Sequence, residues 1–129
     1  MLEKLKNNWM VRFSNEGVGY GGFQWQPIGQ WTVAPDWDNE PVCGRGLHGQ
    51  GPGGWGACNR GTRFELVETS GKRVIIDGNK LKVKKAKILA IDGDAWQMVM
   101  ELLENSFLGS VDLRGYNHPL PASLTSIGG

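Results

Sequence analysis

The feature that most limits how this chain can fold is the run from Thr62 to Ile91, "TRFELVETSGKRVIIDGNKLKVKKAKILAI". It holds three β-type segments parted by two short turns, SGK and GNK. β-branched and apolar residues dominate each segment and Gly with Ser or Asn marks each break, so neighbouring strands should pair antiparallel. Phe64, Leu66 and Val67 mark the first strand and "RVIID" the second. In the third, Leu81 and Val83 alternate with Lys80, Lys82 and Lys84, which predicts one dry face and one wet face. The lysines, continuing through Lys85 and Lys87, read as a solvated sheet edge that discourages pairing with other chains. They lack the interleaved aromatics of a single-strand nucleic-acid surface.

After this run the apolar period changes from two to about 3.6. Asp94 can cap a helix with Gln97 as its capping-box partner, while Trp96, Val99, Met100 and Leu103 share one face and Glu101 and Glu104 the other. The spacing predicts a helix over 94–105 whose apolar stripe packs on the sheet. Upstream, "WMVRF" from Trp9 to Phe13 is a further strand. "FQWQPIGQWTV" sets Phe23 and Trp25, then Trp31 and Val33, on either side of Pro-Ile-Gly, the pattern of a hairpin with one buried face. The expected class is α+β: a mostly antiparallel sheet of about five or six strands with one C-terminal amphipathic helix and an appended repeat-like strand.

A length of 129 residues with 40% hydrophobic content suits one domain with a real core. Fourteen basic against 13 acidic residues leave a net charge of +1, which argues against a nucleic-acid binder and equally against an acidic DNA mimic. No apolar run approaches the roughly 20 residues that span a bilayer, and the start has no signal-peptide pattern. A soluble cytoplasmic protein is expected, with Cys43 and Cys58 as free thiols.

Between those cysteines, "CGRGLHGQGPGGWGAC" carries seven glycines. Gly44, Gly46 and Gly49 satisfy the dinucleotide fingerprint, yet Pro52, Gly53 and Gly54 stop the helix that must open within it, so that reading fails. Cys43, His48 and Cys58 are zinc-type donors at a spacing that fits no compact zinc module; buried thiols and a backbone-bonded histidine are preferred. Neither a metal nor a cofactor is expected. The segment reads instead as a recognition loop on a rigid scaffold, with Arg45, His48, Gln50 and Trp55 as the side chains that meet a partner.

"GGFQW", "WTVAPDWD", "VCGRGLHG" and "RFELVE" together resemble, over roughly residues 20–91, an uncharacterised domain of phage and bacterial proteins that often precedes tandem repeats. The resemblance implies a phage or mobile-element setting inside a bacterial host and brings no activity. "GSVDLRGYNHPLPASLTSIGG" resembles one unit of the leucine-rich-like repeats, about 20 residues long, found in some bacterial and phage proteins. The chain then divides into a β-rich α+β domain, 1–108, and a single repeat unit, 109–129. Leu113, Leu120, Leu124 and Ile127 of that unit need a neighbour to cover them, so it is expected to dock on the first domain or on a second copy. "CGRGLHG" ahead of a strand pair is also similar to the histidine-bearing strand of ADP-ribosyltransferase-like folds. That likeness implies a nicotinamide site served by His48 and Trp55, with Glu65 or Glu68 stabilising an oxocarbenium ion.

The preferred function is a non-enzymatic binding or assembly module that contacts a protein, itself or a host protein, through the Gly/Trp-rich loop and the repeat strand. Two alternatives stand beside it: an NAD-using ADP-ribosyltransferase-like enzyme, and a phage-encoded inhibitor of a host defence complex.

Overall fold

Trp9–Ser14, Trp31–Val33, Leu47–Gly49, Arg63–Ser70, Val74–Ile76, Lys80–Val83 and Lys85–Ile91 form strands β1 to β7, and Asp92–Glu104 forms helix α1. They belong to a computed structural model that describes residues 2–6, 8–16, 23–42, 44–51, 62–76 and 80–104. The α+β class is as expected: every strand pairing is antiparallel, and the helix follows the last strand.

The strands divide into two sheets, ordered β1-β4-β7-β2 and β3-β6-β5. The Thr62–Ile91 run feeds both. β4 passes through Gly71, whose φ of 81° suits glycine, into β5 of the other sheet, and β6 breaks at Lys84 before β7 returns to the first. Beyond β3, Gln50 bridges to Val11 through two backbone hydrogen bonds, Val11 N–H to Gln50 O at 2.6 Å and Gln50 N–H to Val11 O at 2.9 Å. The smaller sheet is thereby tied to β1.

The larger sheet is covered on both faces. Trp9, Val11, Phe13, Phe64 and Leu66 meet Ala95, Trp96, Val99 and Leu102 of α1, with Trp96 stacked on Phe64 at 4.0 Å. Met10, Val67, Ala86 and Ile88 meet Leu47, Leu81 and Val83 of the smaller sheet, together with Trp25 and Ala34. Two covered faces give near-continuous burial along β1 and β4 in place of alternation. The register of β7 shifts opposite Leu66 and Val67, and the extra residue there lets Ile88 face the inter-sheet core while Ala90 faces α1.

Four expectations need correction. The expected hairpin around Pro-Ile-Gly does not form. Its turn exists, with Gln30 N–H donating to Pro27 O at 3.1 Å, but Trp31–Val33 pairs with β7, and Gly29 N–H extends that pairing to Ile88 O. The helix begins at Asp92, two residues early; Asp92 adopts φ 49° and its carboxylate accepts the Phe64 N–H at 3.1 Å, tying the helix start to β4. The buried stripe includes Ala95 and Leu102, with Met100 only partly buried. The lysine run is no edge either, because β6 is central in one sheet and β7 internal in the other, and Lys82 is fully buried. The repeat unit 109–129 and its boundary at 108 lie outside the described residues, and none of the described helices is long and apolar enough to cross a membrane.

Candidate functional site

On β6, Leu81 and Val83 point into the inter-sheet core, which aims Lys82 the other way. That direction would ordinarily meet water. Here the segment after β2 folds across it: Lys82 Nζ donates to Asp38 Oδ1 at 3.1 Å and to Gly44 O at 3.3 Å, and lies 5.5 Å from the Trp37 ring centroid. A desolvated ammonium is costly unless carboxylate, carbonyl or π partners compensate it, and this one has all three. Since Asp38 and Gly44 stand at opposite ends of one loop, Lys82 clamps that loop shut.

Further bonds fix the loop's shape. Arg45 Nε pairs with Asp38 Oδ2 at 2.6 Å, and Asp38 N–H donates to Arg45 O at 3.2 Å. Asp38 Oδ1 also accepts the Glu40 N–H at 3.1 Å, an Asx turn. Gly44 takes φ 88°, and its N–H donates to His48 Nε2 at 3.2 Å. Gly46 lies so close to the Trp37 ring that an added Cβ would sit 3.2 Å from it. The tip that results presents Glu40, Pro41 and Val42, the last 44% exposed, beside an Arg45 side chain that is 54% exposed.

Charge follows from this packing. Burial lowers the His48 pKa from 6.5 to about 4, helped by the positive charges of Lys80 and Lys82, so the ring is neutral and its Nε2 lone pair is free to accept from Gly44. Burial works to raise the Asp38 carboxyl, but the hydrogen bonds from Lys82 and Glu40 and the charges of Arg45 and Lys82 outweigh it and hold it below its ordinary value.

A second polar group lies on the inter-sheet face of β1 and β4. Glu65, fully buried, accepts from Ser14 Oγ at 2.5 Å and from Arg63 Nε at 2.8 Å, and its other oxygen lies 3.2 Å from Arg12 Nε. The Arg12 guanidinium stacks 3.8 Å over Trp25. An open cleft of about 650 Å³, lined by Glu16, Gln24, Trp25, Gln26, Ile28 and Arg63, begins beside this network.

The residues singled out from sequence fare unequally. Arg45 stands at the loop tip, and His48 is half-buried beneath it. Gln50 is fully buried at the junction of the two sheets, so its side chain is not displayed. Trp55, Cys43 and Cys58 lie outside the described residues, among which no group of three or more His, Cys, Asp or Glu could hold a metal. Glu65 and Glu68, three apart on one strand, point to opposite faces, and Glu68 pairs with Lys87 at 3.5 Å. His48 belongs to the other sheet, and no shared site gathers the three. Sequence reasoning missed Lys82, Asp38 and Trp37: in a period-two pattern Lys82 is in phase with the wet Lys80 and Lys84, and only the covering loop sets it apart.

The chain matches no family model, and no curated protein or solved structure is significantly similar to it.

Proposed function

We propose that this chain is a non-enzymatic protein-binding module whose contact is the loop from Trp37 to Arg45. The observation that carries the reading is the fully buried Lys82 bonded to both ends of that loop. A loop already held in one shape loses little conformational freedom when a partner arrives, so the contacts of Val42 and Arg45 translate into affinity. Residues on loops over a rigid scaffold are where recognition concentrates. The alternative of NAD chemistry has less to support it, because the carboxylate of Glu65 is already engaged by Arg12, Arg63 and Ser14. The resemblance to phage and bacterial domains makes a host protein the partner to seek.

The test is a photo-crosslinking amino acid placed at Val42, with a control at exposed Ile75 on β5, in bacterial lysate. One protein captured in near-equal amount from position 42, absent from position 75 and lost with Arg45→Glu, is the expected result. Equal capture from both positions, or nicotinamide release from NAD that Glu68→Ala abolishes, would replace this reading.

A further inference from the structure

β2 and β7 carry a second surface. Glu68 shares its face of β4 with Phe64 and Leu66, the face that packs α1, and lies opposite Lys87; Lys87 in turn lies opposite Trp31. This end of the sheet presents Trp31, Val33, Lys85 and Lys87, with Val33 51% exposed. Lys85 Nζ and Lys87 Nζ stand 4.9 and 4.7 Å from the Trp31 ring centroid. Next to them an open cleft of about 400 Å³ is lined by Val33, Trp37, Lys72, Lys84 and Lys85 together with Ser70 and Gly71. Four lysines thus border an apolar strip, with Glu68, paired to Lys87, as the acid among them. In a chain whose net charge is only +1, that is a local concentration of positive charge.

We propose that this face binds a carboxylate-rich protein segment, an extended peptide whose surface-facing side chains, at every second position, are first acidic and then apolar. Lys85 and Lys87 are two residues apart on a strand, about 6.6 Å, which is also the repeat of alternate side chains in an extended peptide. Carboxylates at that spacing meet the ammonium groups, while apolar side chains further along the same face of the peptide lie against Val33 and reach the cleft between Val33 and Trp37. A nucleic-acid strand fits less well. Bases need an open aromatic face, but the Trp31 ring lies under two ammonium groups and the Trp37 ring packs on Gly46 near Lys82. Among the described residues the cleft and the loop share Trp37, and the proposal holds whether or not the loop tip docks a protein.

Fluorescence anisotropy of a labelled peptide with Glu at two alternate positions, Val at the next two and Ser between them (Glu-Ser-Glu-Ser-Val-Ser-Val), titrated with the full chain at low salt, tests it. Oligothymidylate of matched charge is run in parallel. Saturable peptide binding that weakens with salt and falls about tenfold or more in Lys85→Gln/Lys87→Gln is the expected result. Glutamine keeps a stem over Trp31, and Lys72→Gln/Lys84→Gln, altering exposed positions, gives a second reading on a folded chain. Absence of saturable peptide binding, indifference to both double variants, or tighter binding of oligothymidylate than of the peptide overturns the proposal. Crosslinking from Val42 reports on the loop independently.

Discussion

Single side chains carry unequal weight here, and Glu65 carries the most. Its carboxylate neutralises the nearly fully buried Arg12 and fixes Arg63 and Ser14. Glu65→Ala takes the carboxylate away from a buried guanidinium, so urea unfolding should show a loss of about 3–5 kcal/mol. A loss below about 1 kcal/mol would mean that the network is not structural. His48 makes a pH-dependent contribution of known sign. Its folded pKa, about 4, is below the ordinary 6.5, so the unfolded chain takes the proton first; stability is unaffected above 6.5 and falls as pH drops from 6.5 towards 4. The full shift corresponds to about 3 kcal/mol, which solvent near a half-buried ring should cut to about 1–2. Asp38, with its carboxyl held down, loses its own contribution only as pH falls further, below its ordinary 3.8. His48→Gln keeps an acceptor for the Gly44 N–H and cannot titrate. Its stability should stay flat between pH 6.5 and 4, and a decline parallel to that of the parent chain would assign the effect elsewhere.

At the scale of elements, the strands of the Thr62–Ile91 run were legible because glycine and asparagine punctuate them and β-formers fill them. Their sheet membership was not, since a period of two reports which residues share a face and says nothing about what covers it. Lys82 shows the difference: the pattern makes it wet, and the loop from Trp37 to Gly46 makes it dry. The same blindness produced the expected hairpin, because Trp31–Val33 finds its partner in β7, more than fifty residues on. The candidate site was legible only at Arg45 and His48, through the glycines that frame them. Lys82→Met tests the loop as a unit. Methionine leaves an apolar stem against Trp37 and removes the desolvation cost of a buried charge, so global stability should change by no more than about 1 kcal/mol. Hydrogen exchange at the Asp38 and Gly44 amides should accelerate markedly, and unchanged exchange would show that the loop is held without the clamp.

For the molecule as a whole, the decisive joint is where the end of β3 meets β1, and the glycines there have a different role from Gly44 of the loop clamped by Lys82. A Cβ on Gly51 would lie 2.6 Å from Trp9 O and 3.0 Å from Met10 Cα, and one on Gly49 would lie 2.8 Å from Val11 O. At Gly51 the two nearest obstacles are backbone, which cannot swing aside as a flexible side chain does, whereas the nearest to Gly49 is the Met10 sulfur at 2.7 Å. The close approach brings Gln50 and Val11 within hydrogen-bonding distance and couples the smaller sheet to the larger, so both cores should melt together. Gly44 has open space around it and needs glycine only for its φ of 88°, where an L side chain costs about 1–2 kcal/mol. Gly51→Ala should therefore destabilise more than Gly44→Ala, by about 3 kcal/mol or above, because overpacking against backbone forces the sheets apart. Gly44→Ala should disturb the loop while leaving the cooperative transition in place. Denaturant unfolding followed by tryptophan fluorescence and by circular dichroism separates the two. If Gly51→Ala unfolds at the parent midpoint with coincident transitions, the sheets are not coupled through this joint, and the smaller one is held by the inter-sheet core and the β4–β5 and β6–β7 connections.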